Sequence, residues 1–109
     1  MDWTEHEFLV AVFIGNGDSV RRRARDLKRK TGIRPHIFAE SFTFWQRLLY
    51  NCHTVKLTRR DFLLESLIRF ATELEKYDFP VIVMCDDFSS DFVRACGEDI
   101  ECYYLAVNY

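Results

Sequence analysis

Two short segments of this 109-residue sequence combine residue types that could bind a small ligand. The first is the turn Gly15-Asn16-Gly17, whose backbone N–H groups, together with the N-terminus of a following helix, could hold an anion. The second is the pair Asp86-Asp87, which follows an apolar segment and could bind Mg²⁺ or the ammonium group of a substrate. These five residues are our candidate substrate-binding residues.

Each segment also has a purely structural interpretation. The glycine turn can be a plain strand-to-helix connection, and GNGDSV is not a dinucleotide fingerprint, because Val20 stands at the position of its third glycine. Asp18 would in addition repel a pyrophosphate. For the acid pair we favour the interpretation in which Asp86 binds backbone N–H groups and Asp87 begins the loop.

A third candidate is the basic segment 21–30. Residues 15–34 contain eight Lys and Arg against two Asp, a charge of +6, whereas the rest of the chain contains seven basic and fifteen acidic residues, a charge of −8. The segment could contact nucleic acid, meet an acidic partner domain or face solvent. No aromatic residue is interleaved with its basic residues and the whole chain is not basic, so the pattern disfavours nucleic acid.

No catalytic or metal-binding constellation is recognisable. His6, His36 and His53 have no Ser, Cys or carboxylate partner at a motif spacing. The four Cys residues have no zinc-ligand spacing, which indicates reduced and mostly buried thiols. We see neither a signal-peptide pattern nor an apolar run of about 20 residues, so we expect a cytoplasmic location and no membrane partner.

Apolar segments without alternation, separated by helical patterns, predict the elements that would position these residues. Such runs suit strands that are buried on both faces of a parallel sheet. The predicted strands are 8–14, 34–39, 52–57, 81–85 and 100–107; the predicted helices are 18–31, 58–77 and 91–96, with a short helix or packed loop over 40–51. This alternation predicts an α/β fold: a three-layer, Rossmann-like, open and mostly parallel sheet of about five strands with helices on both faces.

Cap and core residues follow from the same patterns. Asp18 or Ser19 is expected to cap the first helix, and Gly32 is expected to end it in a left-handed conformation. We expect Thr58 to cap the long helix, and Ser89 or Ser90 to cap the last. Side chains expected to pack on the sheet are Val20, Ala24 and Leu27 from the first helix, and Phe44, Trp45 and Leu48 from the segment 40–51.

The order of these motifs resembles a known family. An apolar strand, FLVAVFIG, runs into the turn GNGDSV; a helix with Ala24-Arg25 follows, and then TGIRPHIFA, the short strand CHTVKL and the strand PVIVMCDD with its DDFSSDFV segment. Over residues 8–109 this resembles the N-terminal pre-ATP-grasp domain of ATP-grasp carboxylate–amine ligases, particularly of the amino-acid ligase type.

The resemblance implies a specific function. The parent enzyme would activate a carboxylate as an acyl phosphate and join it to an amine, with ATP and Mg²⁺ bound by ATP-grasp domains C-terminal to this one. Residues 1–109 would be a single domain, cut from a longer chain and inactive alone, that holds no cofactor, scaffolds those domains and forms part of the substrate pocket. A homodimer is also possible.

Two other functions stay open beside the ligase. One is a stand-alone, flavodoxin-like regulatory or protein-interaction module. The other is a nucleic-acid binder that uses the basic helix 21–30.

Overall fold

Strands and helices alternate along residues 2–109, the part of the chain that the computed structural model describes. The strands are β1 (Leu9–Ile14), β2 (His36–Ala39), β3 (Asn51–Thr54), β4 (Phe79–Met84) and β5 (Leu105–Asn108). The helices are α1 (Asp18–Thr31), α2 (Phe44–Leu49), α3 (Arg60–Thr72), α4 (Asp87–Cys96) and α5 (Glu98–Glu101), and a 3-10 turn, Trp3–Glu5, precedes β1. No helix among these residues is both long enough and apolar enough to span a membrane.

Within residues 2–109 the five strands form one sheet in the order β3-β2-β1-β4-β5, and every neighbouring pair is parallel. The chain first builds outward from β1 through β2 to β3. It then crosses back to place β4 on the other side of β1. The predicted three-layer, Rossmann-like α/β fold is therefore confirmed.

Two apolar clusters cover the two faces of the sheet. On one face the α1 residues Val20, Ala24 and Leu27 are fully buried against alternate residues of β1, as the helical spacing predicted. The other face packs against α3, α4 and α5, whose buried residues include Leu63, Leu67, Phe92, Val93 and Ile100. Burial on both faces explains why the central strands are continuous apolar runs.

Several helix boundaries differ from the prediction. Helix α3 begins after Arg59, which gives no side-chain cap, so the prediction that Thr58 caps it is wrong. It ends at Thr72, where the expected helix ran to residue 77. The last strand was expected from residue 100, but Ile100 belongs to α5 and packs under α3 and α4, so β5 begins only at Leu105.

Helix α2 does not dock on the sheet as expected. Phe44, Trp45 and Leu48 are 68%, 69% and 53% exposed, and the helix has no buried residue. At six residues it is too short to lay an apolar stripe along the sheet. Tyr50, directly after the helix, is buried in the α1 cluster in their place.

Candidate substrate-binding edge of the sheet

The two candidate segments lie side by side at one edge of the sheet. β1 and β4 are neighbours in register from Leu9 and Phe79 to Phe13 and Val83, so the loops that follow them meet at their carboxyl ends. A Cβ atom in place of the Gly15 hydrogen would lie 3.6 Å from Oδ2 of Asp86. This is the point where the strand order reverses, the place where open α/β sheets bind their ligands.

Gly15 is required by the backbone. It is buried, with φ at 121°, a conformation that side chains with a Cβ rarely adopt. Its N–H donates to the carbonyl oxygen of Phe38 at 2.9 Å, which ties the turn to the end of β2.

Asn16 links two loops. Its Nδ2 donates to the carbonyl oxygen of Ser41 at 2.6 Å, and its Oδ1 accepts from the N–H of Glu40 at 3.0 Å. The amide of Asn16 is thus used to hold the β2–α2 loop against the β1–α1 turn. Its contribution to a ligand site would be to fix the shape of this edge.

Gly17 is the N-cap residue of α1 and supplies no side-chain hydrogen bond. The prediction that Asp18 or Ser19 caps this helix is therefore wrong: Asp18 is already its first helical residue. The Asp18 carboxylate pairs with Arg21 at 2.5 Å, one turn further along. Gly32 does end the helix in the left-handed conformation, with φ at 75°, as predicted.

Asp86 caps α4. Its Oδ1 accepts from the N–H of Ser89 at 2.8 Å and from the Ser89 hydroxyl at 2.7 Å, and the Ser89 Oγ accepts in turn from the N–H of Asp86 at 3.3 Å. This is a reciprocal capping box. The interpretation that Asp86 binds backbone N–H groups is confirmed. Its other half, that Asp87 begins the loop, is wrong because Asp87 is the first residue of α4, and the prediction that Ser89 or Ser90 caps the helix is wrong as well.

Asp87 is exposed at the first position of α4 and faces an open depression of about 370 Å³. None of the ion pairs within residues 2–109 involves its carboxylate. The depression lies beyond the carboxyl ends of β4 and β5; its lining residues are Met84, Cys85, Asp86, Asp87, Ser90, Asn108 and Tyr109. Two carboxylates and one amide on an open wall suit a cationic group such as an ammonium.

Cys85 adds no nucleophile to this edge. Burial, and secondly the nearby Asp86 carboxylate, raise the pKa of its thiol to about 11. The thiol therefore stays protonated at neutral pH, and the thiolate is the reactive form. In residues 2–109 no group of three or more His, Cys, Asp and Glu side chains is arranged to hold a metal ion.

Comparisons were made with protein-family models, with curated proteins and with solved structures. Nothing in any of the three matches this chain.

One polar pair escaped the sequence reasoning. His36 Nδ1 lies 2.9 Å from His53 Nε2, so these two histidines do have partners: each other. Neither histidine has a Ser, Cys or carboxylate partner at a motif spacing, and the two histidines lie 17 residues apart in the sequence. The signal that could have found the pair is the alignment of the two predicted strands. In the parallel register of β2 and β3, His53 lies beside Phe38, two residues from His36.

Proposed function

We propose that this domain forms the substrate-side wall and scaffold of an ATP-dependent carboxylate–amine ligase. The observation that carries the proposal is the meeting of Gly15 and Asp86 at the reversal of strand order. A Rossmann-like domain that presents a glycine turn and an acid pair there suits a small polar substrate. The ATP and Mg²⁺ sites would lie in ATP-grasp domains outside residues 1–109.

In this proposal Asp87 is the residue that binds substrate. Its exposed carboxylate would pair with the ammonium group of the amine substrate, while Asp86 holds the start of α4 in place through its cap. Tyr109 lines the same depression, and Arg23 lies over its ring, with the guanidinium carbon 5.6 Å from the ring centroid. A zwitterionic amino acid would therefore find an anionic and a cationic partner at this edge.

The chemistry itself would take place on the other domains. The substrate carboxylate would attack the γ-phosphate of ATP to give an acyl phosphate and ADP, and the amine would then displace phosphate to form the amide. The amine must lose its proton before it attacks, so the acidic wall would serve binding and orientation. Residues 1–109 would supply no group that takes part in either bond-making step.

The test is a coupled assay of ADP formation by the full product of the natural gene, with pools of carboxylic acids and amines. We expect ADP only when an acid and an amine are both present. Asp87→Asn should raise the KM for the amine with little change in kcat. Asp91→Asn is the matched control, because Asp91 is an exposed aspartate one turn further along α4. Absence of ATP turnover that depends on both substrates would refute the proposal.

A second candidate function is a protein-interaction module, and the exposed side chains of α2 favour it. Sedimentation analysis separates the two candidates. A domain that normally packs against catalytic domains should self-associate when it is isolated, whereas an independent module should stay monodisperse.

A further inference from the structure

Helix α2 presents a cluster of apolar side chains to solvent. Phe44, Trp45 and Leu48 are each more than half exposed, and Leu49 is 40% exposed. The helix is nevertheless held firmly, because Thr43 and Gln46 form a reciprocal capping box at its start. Tryptophan is one of the residue types enriched among the few side chains that dominate the binding energy of protein interfaces.

The same helix is anchored to its surroundings through backbone oxygens. Lys28 Nζ donates to the carbonyl oxygen of Leu49 at 3.2 Å, and an Arg34 guanidinium nitrogen donates to the carbonyl oxygens of Arg47 and Tyr50, each at 3.0 Å. These contacts tie the carboxyl-terminal end of α2 to α1 and to the segment before β2. The side chains of Phe44, Trp45 and Leu48 stay exposed.

A basic groove of about 390 Å³ separates α2 from α1. Its α1 wall carries Arg21, Arg22 and Arg25; its opposite wall is formed by Gln46 and Leu49 of α2 and by Tyr50, the residue after the helix. Arg21 is paired with Asp18, the one acidic residue in the groove lining, whereas none of the ion pairs within residues 2–109 involves Arg22 or Arg25. We call the groove and the exposed side chains of α2 the α1–α2 face.

We propose that the α1–α2 face docks an acidic segment of a partner protein, which places apolar side chains on Trp45 and carboxylates against Arg22 and Arg25. The choice rests on charge complementarity, because guanidinium groups without carboxylate partners are well suited to bidentate carboxylate binding. Arg22 and Arg25 also line the same groove as Leu49, one member of the apolar cluster. This inference rests on a different surface from the substrate-binding edge and does not depend on the ligase proposal.

Two other occupants fit less well. Nucleic acid would stack on aromatic faces, but half of the exposed apolar side chains of α2 are leucines, and the chain has a net charge of −2. A second copy of this chain would have to present its own acidic residues. The densest acidic run, Glu98–Glu101, lies behind the other face of the sheet, so a contact through it would be heterologous and would not close into a dimer.

The experiment is a selection of phage-displayed random 16-residue peptides on the folded protein. We expect the enriched peptides to share Asp and Glu residues next to Leu, Phe or Trp. A labelled synthetic copy of the leading peptide should bind in fluorescence anisotropy, and its affinity should fall as salt is added. Trp45→Ser and the double variant Arg22→Glu, Arg25→Glu should each weaken binding about tenfold or more.

Matched controls come from exposed residues elsewhere on the domain. Phe62→Ser on α3 and Arg94→Glu on α4 remove the same chemical types and should leave binding unchanged. Enrichment of peptides without acidic residues, or equal losses in the controls, would overturn the inference. So would tighter binding of a single-stranded oligonucleotide that the same variants abolish, or a concentration-dependent dimer that Trp45→Ser dissociates.

Discussion

His36 Nδ1 and His53 Nε2 lie 2.9 Å apart on neighbouring parallel strands, a hydrogen-bond distance at which one ring donates and the other accepts. Asn51 Nδ2 faces both the carbonyl oxygen of Arg34 and Nε2 of His36, each at 3.4 Å. A carbonyl oxygen only accepts, so this amide end is a donor. Its approach to Nε2 favours the His36 tautomer that carries its proton on Nδ1 and donates it to His53.

This pair should make the stability of the fold depend on pH. Burial, followed by the charge of His53, lowers the pKa of His36 from 6.5 to about 4, and burial also lowers the pKa of His53. Because the unfolded chain binds these protons more readily, the stabilisation is complete above about pH 6.5 and is lost as the pH falls towards 4. Urea unfolding at pH 7 and pH 4.5 should show a clear drop in midpoint.

Two variants assign this pH dependence to the pair. His36→Phe combined with His53→Phe removes both titrating groups, and the surrounding rings of Phe38 and Phe70 can pack against the replacements. The double variant should lose less stability between pH 7 and pH 4.5 than the wild type. His6→Gln is the control and should keep the wild-type difference; an unchanged difference in the double variant would contradict the assignment.

The sequence predicts the sheet well, because its central strands are encoded by local pattern. β1 and β4 are buried on both faces. A continuous apolar run such as residues 9–14 can be shielded from water in a small domain almost only as a central strand of this kind. The core face of α1 follows from its helical period. Helix ends were predicted less well: Gly17 and Arg59 stand at N-cap positions without a side-chain cap, so packing of the helix body decided where each helix starts.

The sequence identified the two segments of the candidate site, but it did not show that they lie next to each other. Nothing in the spacing of residues 15 and 86 along the chain says that β4 lies next to β1. That neighbour relation depends on the crossover after β3, which is a property of the whole fold. The division of labour between the two acids was predictable in part, since an Asp before a helix is a common cap.

Asp86 and Asp87 should differ sharply in their effect on stability. Asp86→Ala removes the capping hydrogen bonds to Ser89 and should lower the free energy of unfolding by about 0.5–2 kcal/mol. Asp87→Asn alters an exposed carboxylate outside the capping box and should change it very little. Chemical denaturation of both variants at pH 7 measures the difference, and equal losses would show that Asp87 also supports the fold.

The Tyr104 hydroxyl should contribute to stability through one buried hydrogen bond. It donates to the carbonyl oxygen of Leu67 at 2.6 Å, and burial raises the pKa of this phenol. Tyr104→Phe keeps the ring and should cost about 0.5–1.5 kcal/mol. Tyr103→Phe, at an exposed neighbouring ring, is the control and should cost nothing measurable. If Tyr104→Phe left the free energy of unfolding unchanged, the hydrogen bond to Leu67 would be worth no more than the hydrogen bond that the hydroxyl makes to water in the unfolded chain.

Gly15 should be irreplaceable because of its backbone conformation and not for lack of space. A Cβ at this position would meet Val20 Cγ2 at 3.5 Å and Asp86 Oδ2 at 3.6 Å, both ordinary contacts, but φ is 121°. Gly15→Ala should therefore cost about 1–3 kcal/mol of unfolding free energy. Gly17 lies in an extended conformation with φ at −70°, so Gly17→Ser should cost nothing and could add a cap to α1. Thermal and urea unfolding of the two variants tests this contrast. If Gly15→Ala were as stable as the wild type, the turn would be able to relax, and the close approach of the β1 and β4 loops would not depend on a glycine.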